Sequence, residues 1–235
     1  DGAALRAEGL TVRTPDGSRE LVRRLHLDVP RGDRLLVVGA SGTGKSSLLR
    51  TLAGLWPAAE GAAAAGDGEV VFFLPQKPYN VLGTLRAQVA YPSVAREGGG
   101  AAEDDERMLG LLAAVRLGDL AERVGGLGAR RDWSKVLSLG EQQRLAFARV
   151  LYNRPTVVVL DEATSAMDLR TEAAMYSLLE ALDGTTYVSI GHRPSLLRFH
   201  DRKLVLRGAD SDPLVVEVDE AERRVAAAAT TTAPP

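Results

Sequence analysis

The sequence lacks cysteine entirely over its 235 residues. This absence excludes disulfides, thiolate metal sites and cysteine nucleophiles, and it leaves the redox compartment unmarked. No stretch approaches the roughly 18 consecutive apolar residues of a transmembrane helix, and no signal peptide is evident. The chain begins with Asp1 rather than Met, as a piece cut from a longer protein would, so a membrane-embedded part elsewhere is compatible with these absences.

A large excess of charge of one sign is also missing. The 29 basic and 31 acidic side chains leave a formal net charge of -2. This balance gives no support for a mainly electrostatic nucleic-acid binder, although a local basic patch is compatible with it. What is present is ordinary globular composition, 45% hydrophobic and 26% charged, which argues against disorder. At about 150 residues per domain, and with no internal repeat, the length predicts one large domain or one domain with a subdomain.

Apolar strand-like segments alternate with helical ones along the chain. Residues 4–38 are predicted to form strands joined by turns, and the continuous apolar run Leu35 to Val38 is typical of a buried parallel strand. Further strands are predicted at 70–74, 157–160, 186–190 and 203–206, and helices at 45–55, 139–152 and 170–182. This alternation predicts an α/β fold.

Four segments are predicted to be irregular. The Ala/Gly-rich stretch 58–68 is expected to be a loose surface loop. Residues 97–105 are expected to form a second flexible loop, whose acidic end starts a helix. Residues 119–136 read as irregular and charged, and the tail 226–235 as disordered.

A glycine-rich loop follows the strand that ends near residue 38. Residues 39–46 fit the pattern G-x-x-x-x-G-K-[ST], between a strand and a helix. Glycines let the backbone curl so that N–H groups point at phosphate oxygens, and Lys45 and Ser46 can then reach the phosphates and Mg²⁺. The alternative is a glycine-rich turn with an accidental lysine. The predicted phosphate-binding residues are Gly39, Ala40, Ser41, Gly42, Thr43, Gly44, Lys45, Ser46 and Ser47.

Two carboxylates end a later apolar strand. Asp161 and Glu162 follow the run 157–160 at the C-terminal edge of the predicted sheet, where open α/β sheets bind ligands. Asp161 is predicted to hold Mg²⁺, directly or through water, and Glu162 to polarise an attacking water. The alternative is a strand end with two solvated acids.

The segment VLSLGEQQR at 136–144, just upstream of that strand, resembles the signature motif of ATP-binding cassette (ABC) ATPases. Gln76 matches the Q-loop of that family, the segment from Ser165 to Asp168 its D-loop, and His192 its switch histidine. These motifs occur in the family's order. The resemblance implies an α/β P-loop NTPase, with a RecA-like core, an N-terminal antiparallel β-subdomain and an inserted α-helical signature subdomain.

The resemblance also implies domain boundaries. The ABC ATPase domain would cover residues 1–225, with a core of about 1–81 and 153–225 and a helical subdomain of about 82–152. A transmembrane domain is expected outside this chain, and the segment 77–92 would be part of the surface that meets it.

In ABC ATPases two domains pair head to tail, and each ATP lies between the phosphate loop of one and the signature of the other. The resemblance therefore implies ATP and Mg²⁺ as cofactors, a second ABC domain as partner, and no nucleic acid. The implied catalytic residues are Glu162, His192, Lys45 and Gln76. The implied metal-binding residues are Ser46, Gln76 and Asp161. Implied nucleotide contacts outside the phosphate loop are Ser138, Gly140, Glu141 and Asp168.

Each of these positions also has a structural interpretation. Ser138 and Glu141 are three apart and can form a capping box for the following helix, which is compatible with phosphate binding there. Asp168 can be the N-cap of the helix predicted at 170–182. Gln76 can be a loop glutamine, and His192 a satisfied structural histidine.

A narrower resemblance points to the subfamily D half-transporters, which include peroxisomal fatty-acyl-CoA transporters and plastid, cyanobacterial and bacterial relatives. Its motifs are GLWP at 54–57, LPQKPY at 74–79, LGTLR at 82–86, YP at 91–92, DW at 132–133 and HRPSL at 192–196. The segments LSLGEQQR and SIGHRPSL resemble those of the plastid and cyanobacterial branch.

This resemblance implies an ATP-hydrolysing domain that powers transport of a lipid-like or hydrophobic substrate. The protein would be held in a plastid, peroxisomal or bacterial inner membrane through a transmembrane domain outside the chain, with this domain on the ATP-containing side. The alternatives are a soluble ABC ATPase acting on nucleic acid or ribosomes, and a nucleotide-binding regulator without turnover.

Three positions depart from the commonest family pattern. Thr14 stands where many ABC domains have an aromatic residue that stacks on adenine, which predicts weak base selectivity. Leu139 replaces a glycine in the signature and adds bulk at the expected interface. Glu141 stands where glutamine is most frequent, and glutamate there also suits helix capping.

Overall fold

A computed structural model of the protein describes residues 2–93, 102–208 and 211–231. The chain divides into two compact units. The first comprises Asp1–Leu74, Pro155–Glu162 and Asp183–Pro235, and the second comprises Pro75–Arg154 and Ala163–Leu182. The predicted core included residues 75–81, 153–154 and 163–182, which this division groups with the helical part.

A three-stranded antiparallel sheet opens the first unit. Its strands are β1 (Ala3–Arg13), β2 (Glu20–Pro30) and β4 (Glu60–Ala65), in the order β2-β1-β4. Along β2, Leu25, Leu27 and Val29 are buried whereas the residues between them are exposed, as the alternation predicts. The predicted N-terminal antiparallel β-subdomain is confirmed.

Strand β4 corrects the prediction of a loose loop at 58–68. Its alanines pair with β1 in the register Leu5 to Ala65 and Ala7 to Ala63. Gly61 lies so close to β1 that a Cβ there would be 2.3 Å from the Gly9 carbonyl oxygen. Alanine and glycine have weak strand propensity, so the composition of this segment does not predict a strand. The strand forms because the segment pairs with β1.

A six-stranded sheet forms the rest of the first unit's framework. It contains β3 (Arg34–Gly39), β5 (Val71–Leu74), β6 (Val157–Asp161), β7 (Thr186–Ile190), β8 (Arg202–Leu206) and β9 (Leu214–Glu217). The order is β5-β6-β7-β3-β8-β9, with parallel pairing throughout except for antiparallel β9. Helix α1 (Lys45–Leu52) buries Leu48 and Leu49 in the core that both sheets share. The predicted α/β fold is therefore confirmed.

The C-terminal segment is helical where disorder was predicted. Helix α8 (Glu220–Thr231) packs on a 3-10 helix at Pro194–Phe199 and buries Ala226. Alanine has the highest helix propensity, and the Asp219 carboxylate accepts a hydrogen bond from the Glu222 N–H at 2.8 Å near the start of the helix. The prediction of disorder from residue 226 is wrong as far as Thr231, and 232–235 lie outside the described residues.

The second unit is helical. It contains α2 (Leu85–Ala90), α3 (Ala102–Ala114), α4 (Leu120–Val124), α5 (Trp133–Val136), α6 (Leu139–Asn153) and α7 (Leu169–Glu180). The predicted irregular segment 119–136 holds two of these short helices. Trp133 anchors α5, because its side chain is buried and its indole N–H donates to the Gly83 carbonyl at 3.0 Å. Of the loop predicted at 97–105, residues 97–101 lie outside the described part of the chain.

Candidate active site

The phosphate loop joins β3 to α1 in the first unit. Gly39 and Gly44 have φ values of +154° and +91°, and a Cβ on either would lie within 2.6 Å of a neighbouring atom. Gly44 is the N-cap of α1 and provides no side-chain acceptor for the first N–H groups of the helix. This local geometry requires glycine and suits an anion such as a phosphate.

Lys45 lies in the middle of this loop. Its Nζ donates to the carbonyl oxygens of Gly39 and Ala40, each at 2.9 Å, and the residue is 7% exposed. Burial lowers the pKa of Lys45, and the nearby carboxylates of Glu162 and Asp161 oppose that shift. The loop therefore holds an ammonium group that a bound phosphate would stabilise.

Ser46 and Asp161 meet at the start of α1 and the end of β6. The Ser46 hydroxyl donates to the Asp161 carboxylate at 2.7 Å. Asp161 is 3% exposed, and burial raises the pKa of its carboxyl, against the opposing effect of the Ser46 hydrogen bond. Hydroxyl and carboxylate oxygens are the ligands that Mg²⁺ prefers, with the remaining positions taken by water and substrate phosphates. The donor set fits the metal that was predicted here.

Arg50 is a member of this cluster that the sequence analysis missed. Its guanidinium lies 3.5 Å from the second oxygen of Asp161. Ser46 and Arg50 are four residues apart on α1 and so share one helix face. That spacing is the signal that could have found Arg50.

Glu162 and His192 form a second pair in the same unit. His192 Nε2 lies 2.9 Å from Glu162 Oε1. Glu162 has a left-handed backbone with φ +51°, which costs a non-glycine residue roughly 1–3 kcal/mol. Its N–H donates to the Ile190 carbonyl at 3.2 Å, which ties it to the end of β7. The strained backbone and the histidine together aim this carboxylate, as a group that orients water must be aimed.

A cavity of about 890 Å³ adjoins the phosphate loop. Its lining includes Ser41 to Thr43 of the loop, together with Arg13, Arg19, Arg23 and Arg207. Among the described residues that line it, none is aromatic. The Thr14 hydroxyl instead donates to Asp16 at 2.5 Å within the neighbouring turn. Glu20 also lines the cavity and pairs with Arg13 at 2.9 Å and with Arg23 at 2.7 Å. The cavity is therefore polar and rich in arginine, with two of its guanidinium groups held by a carboxylate.

The signature segment lies in the second unit at the start of α6. Ser138 caps this helix, and Ser138 and Glu141 form the full capping box that the structural interpretation predicts. A Cβ at Gly140 would lie 2.9 Å from the Ala166 carbonyl oxygen, so the signature backbone approaches the D-loop closely. Leu139 is 40% exposed. The cap is confirmed, and contact with a nucleotide stays a prediction.

Gln143 connects the Q-loop, signature helix and D-loop within this unit. Its buried side chain donates to the Gln76 carbonyl at 2.8 Å and to the Ser165 hydroxyl at 3.1 Å. Its amide oxygen accepts from the Ala166 N–H at 3.0 Å. The sequence analysis gave Gln143 no role. Gln143 is the second glutamine of GEQQR and lies on a helix that is mostly buried. A polar side chain at such a position indicates a hydrogen-bonding role.

Asp168 is the N-cap of α7. Its carboxylate accepts from the N–H and the hydroxyl of Thr171 at 2.9 and 2.7 Å. The Thr171 hydroxyl, followed by the Thr171 N–H, lowers the pKa of Asp168. The structural interpretation is confirmed here, and the role at a dimer interface stays a prediction.

The sequence profile of the ABC transporter family matches residues 22–165. An uncharacterized ABC transporter ATP-binding protein of Synechocystis sp. is 51% identical over 199 residues, which is 85% of this chain and 29% of that protein. ABC transporter D family member 2, chloroplastic, of Arabidopsis thaliana is 40% identical over a match of 246 residues, gaps included. The match covers 88% of this chain and 35% of that protein. The human lysosomal cobalamin transporter ABCD4 is 43% identical over 208 residues, 86% of this chain and 34% of its own length.

The chain spans about a third of the length of the curated relatives that it matches. Among solved structures, a bacterial Atm1-family ABC exporter with ATP bound is similar with a TM-score of 0.76 at 27% identity, over 100% of this chain and 42% of that one. Within the part of the chain that is described, no helix has the length and apolar character needed to cross a membrane. The motifs, the phosphate loop and these similarities show that the chain belongs to the ABC transporter family, of which it is an ATP-binding domain.

Proposed function

We propose that this domain hydrolyses ATP to ADP and phosphate in a Mg²⁺-dependent reaction, and that hydrolysis powers transport by a membrane-embedded half-transporter. The observation that carries the first part is the convergence of Ser46, Asp161, Glu162 and His192 in one unit. These residues lie at or just after the ends of β3, β6 and β7, which are neighbours in the parallel sheet. Ligands of open α/β sheets lie at this carboxyl edge.

Each residue has a role that its contacts support. Lys45 and the loop N–H groups would stabilise the charge on the transferred phosphoryl group. Ser46 and Asp161 would hold Mg²⁺, which supplies charge neutralisation on the phosphate oxygens when bound. Glu162 would orient the attacking water, and His192 would hold Glu162 and the γ-phosphate. The role of Gln76 as a ligand of metal or water stays a prediction.

The nucleoside part of ATP would lie in the cavity beside the phosphate loop. Four arginines line this cavity, and guanidinium planes stack on any purine or pyrimidine face. Stacking on arginine favours binding of ATP with little discrimination between bases. The same is expected from threonine, rather than an aromatic residue, at position 14.

The coupled activity rests on the relatives. In the proposed assembly two ABC domains pair head to tail, each joined to a transmembrane domain outside this chain, in an organellar or bacterial inner membrane. The subfamily D motifs favour a lipid-like or hydrophobic cargo. The human relative is by name a cobalamin transporter, so transport assays should compare acyl-CoA with cobalamin.

The test uses the full-length protein in proteoliposomes and compares the wild type with Glu162→Gln. We expect steady-state ATP hydrolysis to fall by about a hundredfold or more, while ATP binding is retained. Glu217→Gln is the matched control, because it makes the same change at an exposed residue of β9. Equal rates for the wild type and Glu162→Gln would reject hydrolysis at this site.

A further inference from the structure

The signature places a carboxylate directly beside the hydroxyl that is expected to meet a phosphate. Glu141 Oε2 accepts from both the backbone N–H of Ser138, at 2.8 Å, and the Ser138 hydroxyl, at 2.9 Å. In return the Ser138 hydroxyl accepts from the Glu141 N–H at 3.3 Å. The negative charge of Glu141 is therefore part of the surface that the proposed function offers to the nucleotide of the partner domain.

An uncompensated carboxylate at this position would work against that contact. Two negative groups a few ångströms apart repel, and the repulsion grows as the interface excludes water. A glutamine at 141 could make the same hydrogen bonds to Ser138 without charge. The glutamate therefore needs a partner cation if the start of α6 is to receive a phosphate.

Arg123, near the end of α4, is that cation. Its guanidinium lies 2.5 Å from Glu141 Oε1, the carboxylate oxygen that does not bind Ser138. The Glu141 side chain is 15% exposed and the Arg123 side chain 45%. The carboxylate thus forms a bridge, with Ser138 on one oxygen and Arg123 on the other.

The other charged groups near this bridge do not replace Arg123. Asp119 lies 3.7 Å from the second guanidinium nitrogen of Arg123 and helps to hold it. Arg144, one turn along α6 from Glu141, donates instead to the Arg116 carbonyl. Burial acts to raise the pKa of Glu141, but the Arg123 hydrogen bond and the Ser138 donors outweigh it and lower that pKa. Glu141 is therefore charged at neutral pH and is matched by one arginine.

We infer that Arg123 is a positioning residue of the signature, which neutralises Glu141 and holds it in the capping box so that the start of α6 can receive the γ-phosphate of the nucleotide on the partner domain. This inference rests on the proposed function and deepens it. It predicts that Arg123 matters only while residue 141 is a glutamate.

A double-mutant cycle tests the inference. We expect Arg123→Ala to lower kcat/KM for ATP at least about tenfold in the full-length protein. In the Glu141→Gln background, adding Arg123→Ala should change kcat/KM by less than about threefold. A structural role of Arg123 that does not act through Glu141 would give the same loss in both backgrounds, so the cycle separates the two explanations.

Controls keep the outcome unambiguous. Lys135→Ala removes another cation of this unit, which pairs with Asp132 at 3.0 Å and not with Glu141, and should leave kcat/KM unchanged. If Arg123→Ala does not fold, the comparison of Arg123→Gln with and without Glu141→Gln replaces it. A loss on Arg123→Ala that is as large in the Glu141→Gln background as in the wild type, or an Arg123→Ala protein as fast as the wild type, would overturn the inference. Failure of the proposed function would appear separately, as equal hydrolysis by wild type and Glu162→Gln.

Discussion

The phosphate-loop unit and the signature unit hold their polar groups in different ways. In the first, Lys45 rests on two loop carbonyls, α1 starts without a side-chain cap, and Glu162 has a left-handed backbone. In the second, Ser138 and Asp168 cap helices through short side-chain bridges, and Gln143 bonds three backbone or hydroxyl groups.

This difference indicates which polar groups can exchange their contacts for a ligand and which are held in a fixed arrangement. Groups that rest on loop carbonyls or a strained backbone can exchange those contacts for a bound phosphate or metal. Groups that are locked in networks present a fixed arrangement and lose little freedom when a ligand arrives. In the proposed function the first unit would carry the reacting groups, and the second a preorganised surface. The following variants test this distinction.

The largest effect is expected for Lys45→Ala. Removing the buried ammonium should weaken ATP binding by about a hundredfold, since the loop loses its charged donor. Because burial already disfavours the charged form of Lys45, the variant should melt at the same temperature as the wild type or higher. Calorimetric titration with ATP and a thermal melt check both outcomes. Lys77→Ala, an exposed lysine in the other unit, should bind ATP normally, and a Lys45→Ala protein that binds like it would contradict the comparison.

An intermediate effect is expected for Gln143→Leu. The change removes the partner of the Gln76 carbonyl, the Ser165 hydroxyl and the Ala166 N–H. We expect a loss of about 1–3 kcal/mol in the free energy of unfolding and slower ATP turnover with intact ATP affinity.

Gln142→Leu is the matched control for that variant. Gln142 is also buried, but it bonds the Leu137 carbonyl and Asn80 rather than the Q-loop and D-loop. Both variants should be destabilised, as urea unfolding would measure, and only Gln143→Leu should slow turnover beyond what its stability explains. Equal turnover in the two would show that the network is structural alone.

The smallest effect is expected at the cap of α7. Asp168→Ala should cost about 1 kcal/mol of stability at pH 7, whereas Asp168→Asn should keep the cap. The folded-state pKa of Asp168 is lowered by Thr171, so the charge-dependent part of its stabilisation is present above the unfolded pKa of about 3.9 and is lost as pH falls through the folded pKa. Urea unfolding at pH 7 and at pH 3 measures this.

The Asp168→Asn variant is the control for that prediction, because asparagine does not titrate. The difference between the wild type and Asp168→Asn should change as the pH falls, because only aspartate titrates. A difference between wild type and Asp168→Ala that is the same at both pH values would show that the charge of Asp168 contributes nothing to the cap.

Much of the fold followed from local patterns. The alternation along β2 and the continuous apolar runs of β3 and β6 predicted strands that the structure confirms. Strand β4 and helix α8 were missed because both are rich in alanine. A run of alanines shows no alternation of polar and apolar residues, so it predicts neither a strand nor a helix. Pairing with β1 makes β4 a strand, and packing on the 3-10 helix supports α8.

At the site, the sequence alone determined which groups are present and what chemistry they can do. The glycine-lysine-serine loop, the Asp161 and Glu162 strand end and the signature each have a spacing that local backbone geometry explains. Only the tertiary structure decided which of them meet: Asp161 with Ser46 and Arg50, Glu162 with His192, and Glu141 with Arg123. These pairs join residues up to 115 positions apart, and such contacts depend on strand order and helix packing, which no local pattern encodes.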